Sequence, residues 1–273
     1  FYMNCFFLYW ICYVMTKNKN ASLWGAILFC LHPLNAEIVN QIVFSTVLLA
    51  AGTFQISLIY YDRYLRDNRK RDFVVALLCA GLSILTLETS WILPFYFLAW
   101  ACLIRRINFK NAFKSVLFFL GIVLTLFVAW YFISQGNSLG GDFLKKISYF
   151  GLSSVTFLGS LIFLLFWYWQ KLLIPIDVIW IYAIQPLNAI PAAICLIALV
   201  ILGVLFYFFR KRFFPSLSYV FAGIWFLAGF VFLLPGSLIH PDAGLIIEPY
   251  WFYVGSMGFF MLGALLLCEL KQK

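Results

Sequence analysis

The chain is predicted to be all-α, a polytopic integral membrane bundle forming a single transmembrane domain over residues 1–273. Three observations predict it. The sequence is 65% hydrophobic and 11% charged, with a mean hydropathy of +0.99, whereas an average soluble domain carries about 25% charged residues. Apolar runs of roughly 20 residues, long enough to cross about 30 Å of hydrocarbon, recur from one end to the other. The cations are gathered in a few short stretches between those runs, so the net charge of +9 reads as a topology signal and not as a nucleic-acid surface.

The elements follow in order. Phe1–Met15 already has the character of a span, which predicts a chain that continues upstream of Phe1. Lys17 and Lys19 sit in a short loop, and Ser22 to about Val39 crosses next. It is interrupted at His32-Pro33, because proline lacks an N–H and pushes the preceding residue out of helical φ/ψ. A helix restarting near Asn35 would carry Glu37, Gln41 and Ser45 on one face at i, i+4 and i+8. Ile42–Tyr61 returns to a basic loop over residues 62–72. Phe73–Leu87 leads out to Glu88-Thr89-Ser90, Trp91–Ile104 leads back to Arg105-Arg106, and Ser115–Ile133 leaves again. Gln135–Asp142 reads as a loop. Gly151–Gln170 is expected to be tilted or re-entrant, with Phe166–Trp169 as an interfacial aromatic belt, or else Leu172–Ile184 completes a short third crossing. Pro191–Phe209 ends at Arg210-Lys211-Arg212, Ser216–Leu234 precedes the loop Pro235–Pro249, and Tyr250–Leu267 closes the series. The sum is about nine or ten membrane elements.

The positive-inside rule places the loops at 17–19, 62–72, 105–114, 210–212 and 269–273 in the cytoplasm. Every Lys and Arg except Lys145, Lys146 and Lys171 is then inside. His32, Glu37, Glu88, Asp142, His240, Asp242 and Glu248 fall on the opposite, non-cytoplasmic face. Ionisable and amide groups at membrane depth are costly and mark cavities or paths. His32, Glu37, Gln41, Glu88, His240, Asp242, Glu248 and Tyr250 are therefore the candidate cavity residues, against the plainer reading of a hairpin tip wetted at the membrane surface. The His and carboxylate spacing matches no zinc pattern, so no metal is expected. P-loop, GxGxxG and GxSxG chemistries have no support. The seven cysteines lie mostly within apolar runs, without CxxC, and read as small hydrophobes.

Four segments carry a resemblance. Leu31-His32-Pro33-Leu34-Asn35-Ala36-Glu37-Ile38-Val39 resembles an HP-x-x-x-E-x-V segment. Leu85-Thr86-Leu87-Glu88-Thr89 with Leu93-Pro94 is similar to L-S-K-E-T…L-P. Tyr168–Pro175 resembles Y-x-x-K-L-L-x-P, and Glu248–Tyr253 with Ser256-Met257-Gly258-Phe259 resembles E-R/H-Y/W…Y-x-x-S-x-G-F. Together they resemble the transmembrane-and-tetratricopeptide O-mannosyltransferase-like proteins, GT-C glycosyltransferases related to protein O-mannosyltransferases. The resemblance implies sugar transfer at the non-cytoplasmic face from a polyprenyl-phosphate donor, without a further cofactor. It implies a general-base Asp in a first outer loop upstream of Phe1, a region this sequence is expected to lack. It implies basic side chains on the lipid phosphate, for which Lys145, Lys146 and Lys171 are the candidates. The family's G-R-x-D is Phe44-Ser45-Thr46-Val47 here and the Lys of S-K-E is Leu87. The alternative is thus a catalytically degenerate relative acting as a structural subunit of a larger membrane complex, beside membrane protein partners and lipids. A transporter or flippase using the same cavity is a third class, for which no internal repeat is found.

Overall fold

The computed structural model describes residues 1–133, 154–176, 182–184, 188, 190–201, 216–231, 239–240, 244–247 and 252–270. They are helical, as expected, apart from one small sheet. Helix α1 (Tyr2–Thr16) stops at Lys17, whose left-handed φ of 57° closes it. Asn18 then caps α2 (Lys19–Leu31) by accepting from the N–H groups of Asn20 and Ala21, which satisfies two otherwise unpaired donors. Helix α3 (Pro33–Asn40) begins on its proline, where the missing N–H costs nothing. A 3-10 turn over Ile42–Phe44 leads into α4 (Ser45–Asp67). Asn68, left-handed at φ 52°, and Arg69 connect it to α5 (Lys70–Thr86). A 3-10 segment (Glu88–Ile92), α6 (Leu93–Ala99) and a π-helical turn (Trp100–Ile104) follow. The rest are α7 (Phe109–Ile133), α8 (Ser154–Leu173), α9 (Ile190–Ile201), α10 (Leu217–Val231) and α11 (Tyr253–Leu270).

Three expectations are corrected. The proposed Glu37–Gln41–Ser45 stripe does not exist, because α3 ends at Asn40, Gln41 is extended ahead of the 3-10 turn, and Ser45 opens another helix. The basic loop at 62–72 is a two-residue connection, since α4 runs through Asp67 and α5 starts at Lys70. The aromatic belt at Phe166–Trp169 lies within a helix and part of it points inward: Tyr168 is fully buried against Phe252, and Trp167 is buried as well.

The expected nine or ten spans are likewise not matched by length. Among the described residues one helix, α7, is long and apolar enough to cross a membrane by itself. The pair α2–α3 passes the same test only when taken together, bent by 59°. The reason is local. Pro33, Gln41, Leu87 and the π turn divide long apolar runs, and α4 carries Asp62, Arg63, Arg66 and Asp67 in its last turns. Five further apolar helices are shorter.

The sequence predicts, as one of two alternatives, a short crossing through 182–184, and a loop through 239–240 and 244–247. They form an antiparallel sheet instead, ordered β1 (Tyr182–Ile184), β3 (Gly244–Ile247), β2 (Ile239–His240), with Tyr182 opposite Ile247 and His240 opposite Gly244.

The core is aromatic. Tyr61 stacks on Phe97 with centroids 4.5 Å apart, and Phe97 meets Phe119 edge-on at 4.4 Å. The Tyr96 hydroxyl donates to the Trp225 carbonyl at 2.8 Å, and the Trp225 indole N–H to the Val254 carbonyl at 2.8 Å. Each ring pair adds about 0.5–1.5 kcal/mol beyond its contact area, and the buried polar tips of Tyr96 and Trp225 both have partners. The helices run between two ends, one marked by His32 and the other by Arg105.

Candidate functional site

The His32 end is built around one imidazole. His32 terminates α2 in an extended conformation (φ −72°, ψ 128°). Its Nδ1 accepts the Leu34 N–H at 3.2 Å, so it caps α3 in the way a Ser or Asp would. With Nδ1 an acceptor, Nε2 carries the proton and donates to the Leu172 carbonyl 3.1 Å away, in the last turn of α8. One ring thus satisfies an orphan donor at a helix start and a carbonyl at a helix end. The ring also packs on Phe260 of α11, centroids 5.0 Å apart. His32→Asn is expected to keep the cap and lose only the bond to α8, whereas His32→Ala loses both. Each lost bond is worth about 1 kcal/mol, and thermal melting in detergent should rank wild type above Asn above Ala.

Three of the four resembling segments meet here. The first supplies His32, the Tyr168–Pro175 segment supplies Leu172, and the last places Phe252 on Tyr168 and Phe260, one residue past Phe259, on His32. The second segment lies beside the start of α4. The Ser83 hydroxyl, one turn before Leu87, donates to the Ala50 carbonyl at 2.8 Å and shares a 2.7 Å bond with Ser90. Glu88 opens the 3-10 segment that follows, and Glu37 lies mid-way along α3. Both segments pack on α4. Gln41 is half-buried and makes no cap bond. His240 is in β2, paired with Gly244. Lys145, Lys146, Asp242, Glu248 and Tyr250 lie outside the described residues, as do Gln135–Asp142 and Arg210–Arg212.

Lys171 lies at this end, one residue before Leu172. Its ammonium donates to the Ile176 carbonyl at 2.5 Å and sits 5.7 Å from the centre of the Trp167 ring. Those contacts make it a brace for the turn after α8. Two buried oxygens in the resembling segments, Asn35 Oδ1 and Thr89 Oγ1, have no hydrogen-bond partner. Among the described residues no group of three or more His, Cys, Asp or Glu is gathered as a metal would need.

Sequence reasoning missed two polar clusters. Below the His32 end, the buried Asn4 amide donates to the Leu48 carbonyl (3.0 Å) and the Tyr253 hydroxyl (3.4 Å), while Gln55 donates to the Asn4 carbonyl (3.1 Å). At the opposite end, Asp62 is buried and accepts from Trp100 Nε1 at 2.7 Å and from Arg105 at 2.6 and 2.5 Å. Asp62 also borders a cleft of about 380 Å³ with Trp10, Val14, Arg63, Arg66, Asp67, Arg69 and Asp72. The Arg66 guanidinium bonded to Asp67 holds that exposed carboxyl below its usual range. The isolated Asn4 and Gln55 inside apolar runs were the only signal for the first cluster. The second had none.

Comparison with known protein families, characterised proteins and solved structures finds no match to this chain.

Proposed function

We propose that the chain is the multi-pass membrane domain of a GT-C-like glycosyltransferase, with its Arg105 end cytoplasmic and its His32 end on the non-cytoplasmic side. The observation that carries this reading is the convergence on His32 of segments near residues 32, 172 and 252–260. These same segments carry the sequence resemblance. Membrane residence is supported by α7, and by apolar side chains left outward on the shorter helices, such as Leu78, Ile197 and Leu227. Sidedness is supported by the arginines around Asp62 and Arg105, all at one end. In this reading Glu37, in α3, and Glu88, at the start of the 3-10 segment after α5, serve the transfer site at the His32 end. The donor is a polyprenyl-phosphate-linked sugar and the acceptor a protein hydroxyl or a glycan.

The test is sugar transfer by membranes holding the full-length protein. Glu37→Gln is expected to abolish transfer while leaving the melting temperature unchanged. Wild-type transfer by that variant would remove Glu37 from the site. A second reading, a structural subunit, is favoured by one observation: His32 ties the start of α3 to the end of α8, and Lys171 braces the turn that follows α8. No transfer by the full-length wild type, together with its recovery in a stable membrane complex, would select that reading.

A further inference from the structure

The cleft at the Arg105 end has a charge balance that specifies a ligand class. Three arginines and three aspartates border it, but they are not equally engaged. Asp62 is held by Trp100 and by Arg105, which is not among the cleft residues. Arg66 and Asp67 form a fork with each other at 2.8 and 3.2 Å. Arg63 lies on aromatic faces, 5.0 Å from the Tyr60 ring centre and 6.0 Å from that of Trp10. Among the described residues, what remains is two guanidinium groups, Arg63 and Arg69, that form no ion pair with a carboxylate, and one carboxylate, Asp72, with no hydrogen bond or ion pair. The surroundings are those of a membrane–water boundary. Tyr9, Trp10, Tyr13 and Tyr60 stand beside Arg63 and Lys17, a pairing of aromatic rings with cations typical of the headgroup level.

We propose that this cleft seats the headgroup of a zwitterionic phospholipid with a primary ammonium, its phosphodiester between Arg63 and Arg69 and its ammonium on Asp72. Guanidinium forks suit phosphate oxygens, and Asp72 supplies the one unmatched carboxylate an ammonium needs. A simple anionic headgroup would leave Asp72 facing it. The inference rests on the membrane reading above but not on the glycosyltransferase one.

The experiment is native mass spectrometry of the full-length protein in detergent, titrated with phosphatidylethanolamine and, separately, phosphatidylglycerol. The expected result is preferential retention of phosphatidylethanolamine. Arg69→Gln should weaken both lipids about fivefold, the contribution of one basic contact at a lipid surface. Asp72→Asn should erase the preference between them. None of these residues is buried, so the variants are expected to melt with the wild type. Soluble glycerophosphoethanolamine, which keeps the phosphodiester, should displace the lipid if the headgroup alone is read, and failure to displace it at any concentration would overturn a headgroup site. Equal retention of both lipids, or a preference that survives Asp72→Asn, would overturn the proposal. Release of the protein from native membranes by alkaline carbonate would overturn the membrane reading itself. Retention there without lipid preference would overturn only the headgroup site.

Discussion

Replacing Asp62 with Ala is expected to be among the most damaging single changes in the molecule. The carboxylate sits inside the bundle, with only 5% of its side chain exposed, and the Arg105 side chain is 22% exposed. Removing it strands the Trp100 N–H and most of a guanidinium, and breaking one partner of a buried ion pair costs about 3–5 kcal/mol. The geometry depends on the π turn. In an α-helix, residues five apart lie about 140° apart around the axis. Here the Arg105 N–H bonds the Trp100 carbonyl at 3.1 Å, closing an i→i+5 turn that brings both side chains to the same carboxylate. Arg105→Ala should cost nearly as much, because it leaves Asp62 buried with Trp100 alone. Asp62→Leu combined with Arg105→Met should cost far less than the two single losses added, since the double change buries no unpaired charge. Thermal unfolding of the four proteins in one detergent measures this directly. Additive losses would show that the pair is not coupled.

That ion pair also marks the limit of what the sequence makes legible. Helix boundaries set by local chemistry are readable in advance: the break at His32-Pro33, the turn at Glu88-Thr89-Ser90 and the return at Arg105. Asp62 opens a string of charged residues that looks like a solvated loop, and its partners lie 38 and 43 residues further on. The local sign that α4 continues through Asp67 is slight: Asn68 ends the helix in a left-handed conformation that Asn adopts more readily than most residues. The five-residue spacing of Trp100 and Arg105 argues against a shared helical face until the π turn is seen. At the other end, His32 stands out in the sequence as a polar group at membrane depth. Its role as the cap of α3 and the tie to α8 is invisible, because Leu172 is 140 residues away. The aromatic run at 166–169 misleads for the same reason. Composition alone suits an interface, and burial of Tyr168 depends on Phe252.

The second large effect is expected at Gly258. A Cβ built there would fall 2.4 Å from the Phe226 nitrogen and 2.7 Å from the Ala222 carbonyl oxygen. Those are backbone atoms of α10, so no side chain can rotate away and the helices themselves must separate. One turn earlier the backbones also meet, where a Cβ on Gly229 would come within 2.6 Å of the Gly255 Cα. Small residues that let helix backbones touch are the usual means of association where lipid removes the hydrophobic drive between helices. Gly258→Ala should therefore destabilise by roughly 1–3 kcal/mol, the cost of inserting a methyl into a packed contact, although alanine is the better helix former. Gly258→Leu should prevent α10 and α11 from docking, which also removes the bond from Trp225 to the Val254 carbonyl. Gly81 and Gly121 provide the control, because a Cβ at either meets nothing within 4 Å. Alanine there should be neutral or stabilising by up to about 1 kcal/mol. Melting curves for the three alanine variants separate the two effects. A Gly258→Ala protein that melts with Gly81→Ala would mean that α10 and α11 do not touch at Gly258. The Ser-x-Gly portion of the last resembling segment would then have to be explained by something other than packing. If the loss appears as expected, Gly258 is there to let two helices touch, and its presence in that segment is no support for catalysis.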